Sequence, residues 1–262
     1  MAPAIGVFDS GFGGLTVLRE LRRVLPAASY LYFGDTAHLP YGAKSVRTVA
    51  KYAISAAHFL EEHGIEMLVV ACNTATALAF DDIRAAVRVP VVGVIEPGAQ
   101  RAAEISRTKK VVVAATEATV ASHAYRRALE QQGLQATEKA CPLFVPLVEE
   151  GWVEHQVTEE VAHIYMDEVF QDGDADVLVL GCTHYPLLRP LLRRVVPSRV
   201  EIVDSAESTA ARVAQIRGKG ADQGPAGALR CYATDSVEKF RRLGSKFLGS
   251  PIEHIELVDI EK

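Results

Sequence analysis

Short, wholly apolar runs recur along this chain between longer amphipathic stretches, and no other feature limits its fold as much. Ile5–Phe8, Tyr30–Phe33, Met67–Ala71, Val91–Val94, Val111–Ala115, Val177–Leu180 and Val200–Val203 are rich in Val and Ile and almost free of polar residues. Strands covered on both faces have that composition. Between them lie helical periods. Gly14–Leu25 sets Leu15, Leu18, Leu21 and Leu25 on one stripe, and Ser45–His63 does the same with Val46, Val49, Ala53, Ala56, Ala57 and Leu60. Strands alternating with helices over short connections predict an α/β fold with mainly parallel sheets flanked by helices. Gly218–Gly227, with four glycines and a proline, reads as a surface loop.

The pattern repeats. Leu68-Val-Val-Ala-Cys72-Asn-Thr74 can be laid over Leu178-Val-Leu-Gly-Cys182-Thr-His184, 110 residues later. Ile5–Phe8 then maps near Val111–Ala115, Tyr30–Phe33 near Gln135–Lys139, and Val91–Val94 onto Val200–Val203. Each half becomes strand–helix–strand–helix–strand–Cys–helix–strand. The expected architecture is two similar lobes related by a pseudo-twofold: residues 1–96 with 207–262, carrying Cys72, and residues 97–206, carrying Cys182. Ligands of open α/β sheets bind at the C-terminal edges of the strands. A cleft between the lobes would therefore face one cysteine from each side.

Composition excludes several classes. The 262 residues carry 28 Lys and Arg against 33 Asp and Glu, a formal charge of −5, so no basic face for nucleic acid is expected. At 49% hydrophobic and 23% charged the chain is globular rather than disordered. No run reaches the roughly 18 apolar residues of a membrane-spanning helix. The start, Met1-Ala-Pro-Ala-Ile-Gly, lacks the basic flank and apolar core of a secretory leader, and no N-terminal extension precedes the first strand. A reducing cytoplasm is expected. The four cysteines, Cys72, Cys141, Cys182 and Cys231, form no C-x-x-C pair, so neither a zinc site nor a disulfide framework is expected. Cys182-Thr-His184 alone is too sparse a ligand set for a metal.

The chemistry concentrates after the strands. Cys72 opens the helix start Asn73-Thr-Ala-Thr, and Cys182 opens Thr183-His-Tyr-Pro. A lone cysteine at a strand end is most simply a small buried hydrophobe. Two at repeat-equivalent positions, each followed by polar residues, point to function. A helix N-terminus lowers a thiol pKa, so both thiols are expected to gain thiolate over the roughly 3% of an unshifted group at pH 7. Cys141 and Cys231 lack these surroundings and read as structural. Phe8-Asp9-Ser10-Gly11-Phe12-Gly13-Gly14 places a carboxylate, a hydroxyl and a glycine turn at the same edge, suited to a ligand carboxylate or phosphate. It is neither a phosphate loop of the Gly-Lys-Ser/Thr kind nor a dinucleotide fingerprint. In Phe33-Gly-Asp35-Thr36-Ala-His38-Leu-Pro-Tyr41-Gly42, Asp35 either contacts a ligand or caps its turn. Thr116, Thr119 and Ser122 add hydroxyls that serve as contacts or as caps. Of the pair Glu149-Glu150, either both are on the surface or one enters the cleft.

At these residues the chain resembles the glutamate racemase family. The segments that carry the resemblance are Gly6-Val-Phe-Asp-Ser-Gly-Phe-Gly-Gly-Leu-Thr-Val, Tyr32-Phe-Gly-Asp-Thr, Pro40-Tyr-Gly, Val70-Ala-Cys-Asn-Thr-Ala-Thr, Gly93-Val-Ile-Glu-Pro-Gly, Cys141-Pro-Leu-Phe-Val-Pro-Leu-Val-Glu-Glu-Gly, Leu180-Gly-Cys-Thr-His-Tyr-Pro-Leu-Leu and Asp204-Ser-Ala-Glu. Departures are few: Phe12 in place of an aliphatic residue, His38-Leu39 in place of Arg-Val, and Ala121 and His123 in place of Arg and Gly. Phe12 is expected to reshape one wall of the pocket.

The resemblance implies a cofactor-independent interconversion of L- and D-glutamate that supplies D-glutamate for peptidoglycan, in a homodimer, with neither metal nor organic cofactor. It implies that Cys72 takes the α-proton of D-glutamate and Cys182 that of L-glutamate; from their positions, Asp9 is expected to assist at Cys72, as an acceptor of its proton or an orienter, and His184 to assist at Cys182. It gives Asp9, Ser10, Tyr41, Gly42, Asn73, Thr74, Thr183 and His184 as substrate contacts; the residues read alone add Thr116, Thr119 and Glu149 as further candidates. The residues read alone agree with proton transfer at a stereocentre, which needs a base on one face and an acid on the other. No lysine in these turns suggests a pyridoxal Schiff base. A related isomerase acting on aspartate, or a two-lobed binding protein for an acidic ligand, fits the same pattern.

Overall fold

The computed structural model describes residues 4–171, 173–218 and 224–260. The first apolar run becomes β1 (Ala4–Asp9), followed by α1 (Leu15–Val24), β2 (Tyr30–Gly34), α2 (Val46–Glu62), β3 (Ile65–Val70), α3 (Asn73–Ala86) and β4 (Val91–Gly93). Helix α4 (Ile95–Ile105) leads to β5 (Lys110–Ala115), α5 (Glu117–Ser122), α6 (Ala124–Gln131), β6 (Gln135–Ala140), α7 (Phe144–Glu149), α8 (Gln156–Phe170), β7 (Val177–Gly181), α9 (Arg189–Val195) and β8 (Glu201–Asp204). The chain then returns through α10 (Ser205–Arg217), β9 (Leu229–Ala233), α11 (Val237–Leu248) and β10 (Ile255–Leu257). One sheet has the order β10-β9-β2-β1-β3-β4 and the other β6-β5-β7-β8. All pairings are parallel. The run β2-β1-β3-β4 has the same order as β6-β5-β7-β8, so the internal repeat is visible as topology.

Strand alternation divides the core into layers. Ile5, Val7, Met67 and Val69 of the first sheet share one apolar cluster with Val112, Ala114, Leu178 and Leu180 of the second. Their neighbours point the other way: Phe8, Leu68 and Val70 pack under Val49, Ala53 and Leu60 of α2, and Val111, Val113 and Val179 pack under Tyr125 and Leu129 of α6. Each sheet therefore carries helices on both faces, as side-chain alternation requires of strands buried on both sides, and helices α1 and α10 lie in the core that the two sheets share. The α1 stripe Leu15, Leu18, Leu21 and Leu25 lies within that shared core, where α1 meets α10.

Several expectations are corrected. Val46 is 53% exposed, because it opens α2 beyond the edge of the sheet and does not belong to the buried stripe. Val94 is the N-cap of α4 rather than the end of a strand. The strand containing Met67 starts at Ile65 and ends at Val70, leaving Ala71 in the turn. Strands β9 and β10 have no counterpart in the seven apolar runs. They extend one margin of the first sheet through the pairing of Tyr32 with Cys231 and of Cys231 with Ile255, and β10 is largely exposed. Within the loop expected at Gly218–Gly227, residues 219–223 lie outside the described residues, as do residues 1–3 of the expected leaderless start. Among the described residues no helix is long and apolar enough to cross a membrane.

Candidate active site

Parallel strands point their C-terminal ends one way, and in both sheets those ends converge on one cavity. Ser10 follows β1 and Cys72 lies two residues past β3; Thr116 follows β5 and Cys182 follows β7. The cavity measures about 40 Å³ and is lined from one sheet by Ser10, Tyr41, Gly42, Cys72, Asn73 and Thr74. The other sheet contributes Thr116, Glu149, Cys182, Thr183 and His184. Residues separated by 110 positions in sequence thus close on one space.

Two glycines permit the approach of the sheets. A Cβ on Gly13 would stand 2.4 Å from Thr183 Oγ1 and 2.6 Å from His184 Nδ1. A Cβ on Gly42 would stand 3.0 Å from Thr116 Cβ. Thr16 completes the seam, its hydroxyl donating to the Gly13 carbonyl at 2.9 Å and toward the Thr183 carbonyl at 3.1 Å.

Cys72 is the N-cap of α3, its sulfur accepting from the Ala75 amide at 3.4 Å and lying 3.6 Å from Ser10 Oγ. Cys182 stands differently. A turn and the 3-10 segment Tyr185–Leu188 follow it, and α9 begins only at Arg189, so the expected full helix start is absent there. Its sulfur faces His184, with Nδ1 4.0 Å from Sγ.

The expected lowering of the thiol pKa values is reversed. Burial pushes Cys72 up to about 12, with the charge of Asp9 adding to the rise. Burial raises Cys182 as well, and Cys72 and Asp9 add to it. The amides donating to each sulfur oppose these shifts but do not overcome desolvation. Burial therefore favours the thiol form of both sulfurs. At a pKa of about 12 the thiolate fraction at pH 7 is on the order of 10⁻⁵. Alkylation of Cys72 by iodoacetamide, followed by peptide mapping, should accelerate about tenfold per pH unit from pH 7 to 9. A plateau over that range would show the thiolate already formed at neutrality.

Asp9 is 1% exposed and lies just outside the cavity wall. One carboxylate oxygen accepts from the Gly11 amide at 3.0 Å, and the other has no partner. Burial raises its pKa, while His184 and the amides of Gly14, Gly11 and Ser10 pull it back. Asn73 accepts from the Tyr125 hydroxyl at 2.7 Å, which leaves its Nδ2 donors buried without a partner. His184 Nε2 lies 3.5 Å from Glu149 Oε1, in a geometry that forms no hydrogen bond. Buried polar atoms are normally satisfied. Three unsatisfied atoms around one cavity mark where a polar ligand would complete the bonding.

The remaining candidates separate by geometry. Thr74 Oγ1 lies 3.1 Å from Thr116 Oγ1 and 3.3 Å from Thr119 Oγ1, so the hydroxyls bridge the sheets. Thr119 sits behind the other two, off the cavity wall, and Thr116 caps α5. Tyr41 lines the cavity, but its hydroxyl is committed to Asp35 Oδ2 at 2.6 Å. Any ligand contact from Tyr41 must therefore come from its ring or backbone. Asp35 is neither a ligand contact nor only a turn cap: it also takes His38 Nδ1 and Thr234 Oγ1, each at 2.8 Å, and so anchors the Leu39–Gly42 wall. Of the acidic pair, Glu149 enters the cavity and Glu150 is exposed. Phe12 lies in the wall, its ring 6.0 Å from that of His184. Cys141 and Cys231 are buried away from the cavity. Among the described residues no group of three or more His, Cys, Asp or Glu is placed to hold a metal ion.

Sequence reasoning missed Tyr125 as the partner of Asn73, Val145 in the wall, and Lys239, whose Nζ lies 3.1 Å from Glu149 Oε2. Tyr125 carried a signal, a polar tip on the buried face of α6. Lys239 carried a weaker one: a cation in the first turn of a helix opposes the helix dipole, so its place in α11 needs another reason.

The model of the Asp/Glu/Hydantoin racemase family matches residues 5–213. A glutamate racemase from Koribacter versatilis is 58% identical, with 98% of each chain covered. A crystal structure of a glutamate racemase isoform from Bacillus anthracis superposes with a TM-score of 0.93 at 35% identity, covering 98% of each chain. The glutamate racemase from Francisella tularensis in complex with D-glutamate superposes at 0.90 with 34% identity, covering 99% of this chain and 98% of that one.

Proposed function

We propose, from the premise that the chain belongs to the Asp/Glu/Hydantoin racemase family and is an isomerase, that it interconverts L- and D-glutamate by proton transfer between two cysteines. One observation carries the reading: Cys72 and Cys182 reach one cavity from repeat-equivalent strand ends, beside the buried, unpartnered Asn73 Nδ2. Relatives named as glutamate racemases, one of them in complex with D-glutamate, support glutamate over aspartate as the substrate.

The chemistry follows from the symmetry of the cleft. One sulfur takes the α-proton from one face, so a Cα–H bond breaks as an S–H bond forms. The opposite thiol then gives its proton to the other face, and the configuration inverts. Cys72 serves the D-isomer and Cys182 the L-isomer. In each direction the abstracting thiol must first lose its proton while the opposite one keeps its own. Asp9, with its raised pKa and free oxygen, is the acceptor on the Cys72 side, and His184 is the acceptor on the Cys182 side.

The intermediate carbanion needs donors fixed in a site that excludes water. Ser10, Asn73, Thr74 and Thr183 supply them around the substrate carboxylate, with backbone groups of Tyr41 and Gly42 and the hydroxyl of Thr116 nearby. A cavity of about 40 Å³ holds only a few water-sized spheres, so the sheets must part to admit an amino acid. The chain is further read as two lobes, 1–96 with 207–262 and 97–206, forming a homodimer in the cytoplasm that supplies D-glutamate for peptidoglycan, without metal or organic cofactor.

The test is incubation with L-glutamate in D₂O while Cα deuteration and optical rotation are followed together. Loss of rotation with one deuterium gained per inverted molecule is expected, with kcat/KM for glutamate well above that for aspartate. A preference for aspartate would overturn the substrate; binding without exchange would overturn the reaction.

A further inference from the structure

The proposed acid–base group at Cys182 has a connection running out of its own sheet. His184 Nδ1 faces Cys182 Sγ at 4.0 Å, and its Nε2 faces Glu149 Oε1 at 3.5 Å. The other oxygen of Glu149 accepts from Lys239 Nζ at 3.1 Å. Cys182, His184 and Glu149 all belong to the segment that builds the second sheet. Lys239 does not: it sits on α11, which packs on α1 and on β10 of the first sheet. The row Cys182–His184–Glu149–Lys239 is therefore complete only while the two halves of the molecule are closed on each other.

Lys239 is held at this place by more than one contact. Its ammonium lies 5.6 Å from the centroid of the Phe12 ring, within cation–π range. That ring lies 6.0 Å from His184 and 5.7 Å from Phe247, another α11 residue, whose ring stands edge-on to His184 at 5.0 Å. An aromatic patch thus backs the imidazole, while the lysine hydrogen-bonds one oxygen of the carboxylate and the histidine faces the other at 3.5 Å. Glu149 is only 17% exposed at its side chain, so its charge is partly desolvated and depends on these partners. Burial works to raise its pKa, but His184 and Lys239 outweigh burial and keep it below the usual carboxylate range.

We infer that Lys239 is a positioning residue: it turns Glu149 so that one oxygen faces His184, and it thereby couples closure of the cleft to the proton-transfer geometry at Cys182. The inference rests on the two-cysteine racemase reading. Without the ammonium, Glu149 is free to rotate toward solvent and His184 loses the group that orients its ring. The row runs to Cys182 and not to Cys72, so the defect falls chiefly on the half-reaction at Cys182.

The experiment compares the wild-type protein with Lys239→Met, Lys239→Arg, Glu149→Gln, Lys246→Met and the pair Lys239→Met/Glu149→Gln. Lys239→Met keeps the aliphatic stem and removes the charge. It should lower kcat about tenfold with KM within about twofold, the pattern of misplaced groups rather than lost binding. It should also raise the primary isotope effect for α-deuterated L-glutamate more than for D-glutamate. Lys239→Arg should restore kcat to within about threefold. In the double variant the lysine change should add nothing to Glu149→Gln alone, because the two act as one unit. Lys246→Met, on the same helix, should leave the kinetics unchanged.

Equal isotope effects for both isomers, additivity with Glu149→Gln, failure of arginine to rescue, or an equal loss in Lys246→Met would each overturn the inference and leave the racemase reading intact. Absence of glutamate racemization by the wild-type protein would instead overturn the reading on which it rests.

Discussion

Cys72→Ala and Cys182→Ala should each lower kcat/KM for racemization of glutamate by at least about 10³-fold, because each direction of the reaction uses both sulfurs. Both residues are nearly fully buried and small, so alanine leaves only a minor void and the fold should persist. The two losses differ in what survives. In Cys72→Ala the remaining sulfur is Cys182, which serves the L-isomer. That variant should slowly exchange the α-proton of L-glutamate for deuterium with retention of configuration, and should leave D-glutamate untouched. Cys182→Ala should show the reverse. Cys141→Ser and Cys231→Ser, placed away from the cavity, should keep most of the chemistry. Near-normal racemization by either alanine variant would refute a two-base reaction, and exchange of the opposite isomer would exchange the assigned roles.

Asp9→Asn and His184→Asn should each reduce kcat by about 10²–10⁴-fold, the range for a lost acid–base group. The equilibrium between enantiomers fixes the ratio of the two kcat/KM values, so steady-state rates cannot tell which half-reaction was damaged. Primary isotope effects can. With α-deuterated substrates, Asp9→Asn should raise the effect chiefly for D-glutamate and His184→Asn chiefly for L-glutamate. The separation will be incomplete. Asp9 and His184 sense each other's charge, and Asp9 also raises the pKa of Cys182. A smaller change on the opposite isomer is therefore expected, whereas equal changes in both variants would reduce the two residues to substrate positioning.

Asp9→Asn should also carry a stability signature. Burial raises the folded pKa of Asp9 above its unfolded value. The folded state then holds its proton to higher pH than the unfolded chain does. Ionisation at neutral pH therefore disfavours the fold, and that penalty vanishes as pH falls below the unfolded value. Removing the charge should raise Tm at pH 7, by about 2–4 °C for each kcal/mol regained in a chain of this size, while activity is lost.

Local sequence carried most of what local physics governs. Seven apolar runs appear as strands because a segment buried on both faces admits few polar residues whatever surrounds it. The repeat of Leu68–Thr74 at Leu178–His184 was enough to pair two cysteines, since equivalent strand ends of equivalent sheets must lie at equivalent edges. The polar strand β6, QATEKA, was visible only through the repeat, because an edge strand with exposed and half-buried positions has no apolar signature of its own. Strands β9 and β10 had neither aid.

Tertiary structure decided what depends on distance and solvent. The thiol pKa values were expected to fall at helix starts and instead rise, because desolvation is set by the closing of the two halves of the chain around the cavity and exceeds the field of a few amides. The hydroxyl of Tyr41 turned to Asp35, a partner its own turn supplies, yet Asp35 is itself held by Thr234, nearly two hundred residues away. Lys239 stood in an unremarked amphipathic helix until folding set it against Glu149. The chain order states which residues occupy the strand ends and turns; only the contact between two distant surfaces determines which charges they share and which protons they keep.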